Sequence, residues 1–121
     1  MGVINYLDDP SQGPTVGGMK DTVQALNERR VQRLIVCANL MPSAGWQCHD
    51  CLALHVDTDA QPQKCVYCDS LKIQRVELKG GMIAQAYRHG CSIEIMSRCP
   101  ELERVGGVSA RLRERGSNRP S

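Results

Sequence analysis

The stretch Trp46-Gln47-Cys48-His49-Asp50-Cys51-Leu52, answered further on by Lys64-Cys65-Val66-Tyr67-Cys68-Asp69-Ser70, sets the terms on which the rest of the chain folds. Its four cysteines follow the pattern Cys48-x2-Cys51-x13-Cys65-x2-Cys68. Each C-x2-C pair can close a tight knuckle, and the intervening residues let the two knuckles fold back until four thiolates meet one tetrahedral ion. Thiolate softness points to one zinc ion held by Cys48, Cys51, Cys65 and Cys68, and an all-sulfur set with no open position makes that ion structural rather than catalytic. Disulfides or unconnected buried thiols are the competing readings of the same residues. His49 lies inside the first knuckle, but a fourth cysteine is already present, so it is expected to face solvent. Leu52 and Asp69 stand where a glycine often follows the second cysteine of a knuckle.

Upstream of this stretch, Met19, Val23 and Leu26 recur at helical spacing, with Asp21 early and Arg29 and Arg30 late, the charge order a helix dipole favours. Leu34-Ile35-Val36-Cys37-Ala38 is an unbroken apolar run and predicts a central strand buried on both faces. Downstream, Ile73, Val76 and Leu78 predict a second strand. Gly80 and Gly81 then introduce a helix on which Met82 pairs with Ala86 and Ile83 with Tyr87, four residues apart. Arg88 and His89 close that helix, and Gly90 is placed to take the left-handed position beyond the cap. Cys91, Ile93 and Ile95 alternate with Ser92, Glu94 and Met96, which predicts a strand with one well-buried face. Pro100 to Arg104 predicts a further helical turn, ended by Gly106-Gly107. Val108, Ala110 and Leu112 alternate with Ser109, Arg111 and Arg113 in a last strand, so Arg111 and Arg113 are expected to project together from the face opposite the core. This order implies a right-handed crossover in a largely parallel sheet. The fold class is α/β: a three-layer α/β/α sandwich carrying a small zinc ribbon on one loop.

A chain of 121 residues, 41% hydrophobic, suits one domain with a modest core. Residues 1–18 are rich in turn formers and read as a lead-in in which a continuous helix or strand after Leu7 is not expected. Val3, Ile4, Tyr6 and Leu7 are either the end of a helix whose earlier part is missing or a small patch folding onto the domain. The sandwich spans 19–115 with the ribbon at 45–70, and 116–121 is a disordered tail. Seven cysteines, an odd count with four assigned to metal, suit the reducing cytoplasm better than a secreted disulfide framework. There is no apolar run of the roughly eighteen residues a membrane span needs and no signal-peptide order, so a soluble protein is expected. A monomer is the expected state, with no sequence feature that fixes it. A net charge of +2 is too mild to announce nucleic acid, although arginines crowd the C-terminal end.

Several pieces occur in a telling order: Val23-Gln-Ala-Leu26, Arg30-Val-Gln-Arg-Leu-Ile-Val36, Gly45-Trp-Gln-Cys48 with its ribbon, the Gly90-x2-Ile93-Glu94 strand, and Gly106-Gly-Val-Ser-Ala-Arg-Leu-Arg113. Together, over roughly residues 13–115, they resemble the C-terminal domain of the archaeal and eukaryotic class I peptide chain release factors, especially bacterial relatives of that family. The resemblance implies a sandwich similar to ribosomal proteins that bind kink-turn RNA. It also implies a platform for a translational GTPase or a recycling ATPase rather than a catalytic part. The family's peptidyl-tRNA hydrolysis depends on a Gly-Gly-Gln motif in a preceding domain. Here Gly17-Gly18, Gly80-Gly81 and Gly106-Gly107 are followed by Met19, Met82 and Val108, so the chain is not expected to be an enzyme.

The leading expectation is therefore a non-catalytic interaction domain of a release-factor-like, ribosome-associated protein, with a ribosome or translation factor as partner. A zinc-ribbon RNA-binding domain is the alternative, with few aromatics to stack on bases. An enzyme with Cys37, Cys91 or Cys99 as nucleophile and His55 or His89 as base is disfavoured, because each cysteine lies in or beside a predicted core strand or turn.

Overall fold

The computed structural model describes residues 14–56 and 62–113. Ten elements follow one another: β1 (Thr15–Gly17), α1 (Met19–Asn27), β2 (Val31–Cys37), β3 (Ala44–Cys48), β4 (Leu54–Val56), β5 (Ile73–Glu77), α2 (Leu78–Arg88), β6 (Ser92–Met96), α3 (Pro100–Arg104) and β7 (Val108–Leu112). The fold is mixed α/β, with a four-stranded sheet in the order β1-β7-β2-β6 and a three-stranded sheet in the order β4-β3-β5.

The apolar run of β2 sits inside the larger sheet, flanked by β6 and β7. Alternation along the strand sends Leu34 and Val36 into a core with Val23, Ala25 and Leu26 of α1, Leu78, Met82 and Ala86 of α2, and Val108, Ala110 and Leu112 of β7. Each of the larger side chains fully buried there is worth about 1.5 to 3 kcal/mol relative to exposure. Ile35 and Cys37 face the other way and pack with Cys99 and with Leu102 of α3.

Several expectations need correction. The larger sheet is not largely parallel: β2 and β6 run parallel, while β7 is antiparallel to both β2 and β1. The strand expected at Ile73 does form, but it pairs with β3, so it belongs to the sheet that carries the cysteines. Leu78 ends up in the first turn of α2, and Gly80 and Gly81 lie inside that turn, because Glu77 caps the helix by accepting from the Lys79 and Gly80 N–H groups, each at 2.8 Å. Thr15–Gly17 makes a short strand in the stretch read as lead-in, paired to β7. Ile95, expected on a buried face, is 51% exposed, since β6 is an edge strand. Arg111 does not project beside Arg113. β7 is an interior strand and Arg111 is buried at 5% exposure, whereas Arg113 lies just past the strand end in solvent. The residues expected in the tail, 116–121, and the patch at Val3 to Leu7 lie outside the described residues. Among the described residues no helix is long and apolar enough to cross a membrane.

Candidate metal centre

β3 delivers Cys48 at its last residue, and the chain then turns twice in the same way. In the first turn the Leu52 N–H donates to the Cys48 carbonyl at 3.0 Å and the Cys48 N–H to the Ala53 carbonyl at 2.9 Å. In the second, the Asp69 N–H donates to the Cys65 carbonyl at 2.8 Å and the Cys65 N–H to the Ser70 carbonyl at 2.9 Å. Leu52 and Asp69 adopt left-handed backbone, φ 68° and 65°, at the position where glycine is absent. Backbone N–H groups of Cys51 and Tyr67 point at the sulfurs of Cys48 and Cys65, each at 3.4 Å.

These turns bring the four sulfurs within 4.8 Å of one another. Cys48 to Cys68 and Cys51 to Cys65 are each 3.5 Å. A disulfide needs about 2.05 Å. A tetrahedron with metal–sulfur bonds of about 2.3 Å puts its sulfurs roughly 3.8 Å apart. The arrangement therefore fits a metal ion held by four thiolates, and all four predicted ligands meet. His49 is exposed and stands outside the cluster, its N–H donating to the Lys72 carbonyl at 2.7 Å.

The thiols do not titrate alike. Burial acts to raise Cys48, but the N–H groups of Cys51 and Asp50 and the neighbouring sulfurs outweigh it and hold it at about 6. Burial pushes Cys51 up to about 12, helped by the sulfurs of Cys65, Cys68 and Cys48. At Cys68 the Ser70 N–H works downward, but burial and Cys48 leave the thiol raised. One thiolate is readily formed and further ones meet accumulating negative charge, a conflict that a bound cation would remove.

Side chains beyond the sulfurs lock the two turns together. The Ser70 hydroxyl donates to Asp50 at 2.6 Å and accepts from the Lys72 N–H at 3.0 Å. The Arg75 guanidinium lies 4.8 Å over the Trp46 ring. Two residues that the pattern of apolar spacing did not single out fasten this sheet to the helices. Asn27 donates to the Leu54 carbonyl at 2.7 Å and accepts from its N–H at 2.9 Å, and Gln85 donates to the Leu52 carbonyl at 3.1 Å. A hint lay in helical spacing: Gln85 falls three residues after Met82 and Asn27 four residues after Val23. Between α1 and the second cysteine turn runs a mostly apolar groove of about 480 Å³, lined by Val23, Leu54, Val56, Val66 and Tyr67 among others.

The thiols weighed as nucleophiles have other partners. Cys37 donates to Asn39 at 2.7 Å, Cys91 to the Val31 carbonyl at 3.2 Å, and Cys99 to Glu101 at 3.7 Å. His55 packs near Tyr67, ring centroids 6.3 Å apart, and His89 is the C-cap of α2.

No family model matches the sequence, and no curated protein matches it. Among solved structures, the fold is similar to one described as the C-terminal domain of Peptide Chain Release Factor from Methanosarcina mazei. The TM-score is 0.55, at 17% identity, over 84% of this chain and 70% of that one. At that identity the likeness shows the fold, which is release-factor-like.

Proposed function

We propose that this chain is a non-catalytic interaction domain of a release-factor-like, ribosome-associated protein that acts in translation termination or ribosome rescue. Its partner is a ribosome or a translation factor of the GTPase or recycling ATPase type, met in the cytoplasm by a monomeric domain. The observation that carries this reading is the likeness to a release-factor C-terminal domain over most of the chain. The domain takes in β1 ahead of residue 19, since Thr15–Gly17 pairs with β7, and the larger sheet is the middle layer of an α/β/α sandwich. In support, α1 and α2 share a core with β2 and β7 on one side while Leu102 of α3 packs on Ile35 on the other.

Cys48, Cys51, Cys65 and Cys68 hold one zinc ion in a ribbon at 45–70. Zinc bound there would offset half of the charge of the four thiolates and fix both turns, with a closed ligand set that leaves no position for substrate. The four sulfurs at tetrahedral spacing support this assignment.

The test is sedimentation of the purified chain with ribosomes through a sucrose cushion, with and without added translation factors, alongside zinc determination by mass spectrometry. Pelleting with ribosomes and one equivalent of zinc are expected. A chain left in the supernatant under both conditions overturns the partner reading. Less than about a tenth of an equivalent of zinc in folded, reduced protein overturns the metal assignment.

A further inference from the structure

The three helices among the described residues end in the same hydrogen-bond motif, and one of them uses the wrong residue for it. At the end of α2 the Gly90 N–H donates to the Tyr87 carbonyl at 3.1 Å and the Cys91 N–H to the Ala86 carbonyl at 2.9 Å. After α3, Gly106 and Gly107 donate likewise to Glu103 and Leu102, at 3.1 and 2.9 Å. The left-handed residue is glycine in both, Gly90 at φ 76° and Gly106 at φ 100°. At the end of α1 the Arg29 N–H donates to Leu26 and the Arg30 N–H to Ala25, each at 3.0 Å, and the left-handed residue is Arg29 at φ 59°. Of the three non-glycine residues with positive φ among the described residues, Leu52 and Asp69 serve the cysteine turns and Arg29 does not. Strain of this kind is a pointer to function when the side chain has a use.

The surroundings supply that use. Arg113 comes from the end of β7 and reaches back, its Nε donating to the Arg29 carbonyl at 3.3 Å and its N–H to the Arg30 carbonyl at 2.8 Å. Arg88 and His89 end α2 close by: the Cys91 thiol, two residues past His89, donates to the Val31 carbonyl, next to Arg30, at 3.2 Å, and the Arg88 guanidinium donates to the Gln85 side-chain oxygen. Burial, and then the charges of Arg29, Arg88 and Arg113, hold the His89 imidazole below its ordinary pKa, in keeping with that placement. All three arginines are exposed. The ion pairs of Arg30 with Glu28, Arg33 with Glu94 and Lys64 with Asp69 involve none of these three arginines. Glu28, on the same turn as Arg29, is already taken by Arg30 at 3.0 Å.

We propose that Arg29, Arg88 and Arg113 form a binding patch for the phosphate backbone of RNA. Guanidinium groups grip phosphate oxygens in bidentate fashion, and three of them drawn from three elements match a repeating polyanion. Tyr87, next to Arg88 and 80% exposed, adds a ring on which a base or ribose can stack, which favours RNA over an acidic protein surface. The inference goes beyond the partner-binding role proposed above and does not depend on it.

The experiment is fluorescence anisotropy with a fluorescein-labelled RNA stem-loop in KCl from about 50 to 200 mM. It compares the wild-type chain with Arg29→Gly, Arg88→Gln, Arg113→Gln, Tyr87→Ala, the triple arginine variant, and Arg75→Gln on the other sheet. Each arginine removed is expected to lower the slope of log Kd against log salt by about 0.7 to 0.9, and the triple variant to lose roughly tenfold or more in affinity at the lowest salt. Arg75→Gln keeps wild-type affinity and slope. Arg29→Gly is expected to weaken binding while raising Tm by about 4 °C, since it relieves the strained backbone. Wild-type affinity and slope in the triple variant overturn the proposal. So does tighter binding of labelled poly-glutamate than of RNA through the same residues, which makes the patch a protein-docking one. RNA binding that follows these rules in a chain that fails to sediment with ribosomes leaves this patch standing and removes the ribosome reading.

Discussion

Leu52 and Asp69 show what a tight cysteine turn demands of a single residue. An L-residue in left-handed backbone costs on the order of 1 to 2 kcal/mol, and both residues accept that cost so that their N–H groups can reach back to the first cysteine of each turn. Leu52 uses the resulting carbonyl twice, accepting from Gln47 and from Gln85, each at 3.1 Å. His89 carries a different cost, visible in pH. An unperturbed histidine titrates near pH 6.5, but burial and three arginines hold His89 lower in the folded chain. Between those values the unfolded chain binds more protons, so stability is complete above about pH 6.5 and falls as pH drops through the folded value. We expect His89→Gln to flatten this decline. Urea midpoints of wild type and variant at pH 7 and pH 5.5 measure it, and parallel declines would refute it. His55, also depressed by burial, stays in both proteins and leaves part of the acid sensitivity in place.

At the scale of elements, the small sheet is held by backbone-like hydrogen bonds supplied by a helix. Asn27, the last residue of α1, pairs with both the N–H and the carbonyl of Leu54, as a neighbouring strand would. Leu54 in turn lies fully inside the main core, so β4 belongs to both parts of the molecule. Asn27→Ala would leave two polar backbone groups of a half-buried strand without these partners. The expected loss is about 2 kcal/mol, read from chemical denaturation, with faster hydrogen exchange at the Leu54 amide. Unchanged exchange there would show that water replaces Asn27 at no cost. Gly45 works on the same contact from the other side: a Cβ there would sit 2.6 Å from Leu78 and 2.7 Å from the His55 carbonyl, so only glycine lets β3 lie this close to α2 and β4.

For the whole molecule, the two sheets should respond differently to loss of the zinc ion proposed above. Structural zinc sites are worth about 10 to 16 kcal/mol of apparent binding free energy near neutral pH, comparable with the total stability of a domain. The hydrogen bonds of β2 with β6 and β7 do not pass through the cysteine turns. Chelation, or Cys65→Ser, is therefore expected to strip exchange protection from β3, β4 and β5 while amides of Ile35 and Ala110 stay protected. Uniform loss of protection would mean that the sheets unfold as one unit.

What the sequence determined by itself was local. The cysteine spacing named four side chains whose sulfurs do meet, because each C-x2-C turn is closed by hydrogen bonds a few residues long. The bounds of α3 and β7 were legible for the same reason, in Pro100 at one helix end and Gly106-Gly107 between the two elements. The fold class was legible as mixed α/β from the succession of apolar periods. Pairing was not. That Ile73–Glu77 joins β3 and not β2, that β7 runs antiparallel and buries Arg111, and that β6 is left at an edge with Ile95 in solvent are all choices between strands far apart in the chain. A strand's own alternation is the same whichever neighbour it takes, so only the tertiary structure decided them. The gathering of chain ends that carry Arg29, Arg88 and Arg113 belongs to that second kind: Arg113 bonds to the end of α1 and Cys91 ties the end of α2 to Val31, contacts between separate elements that no local pattern encodes.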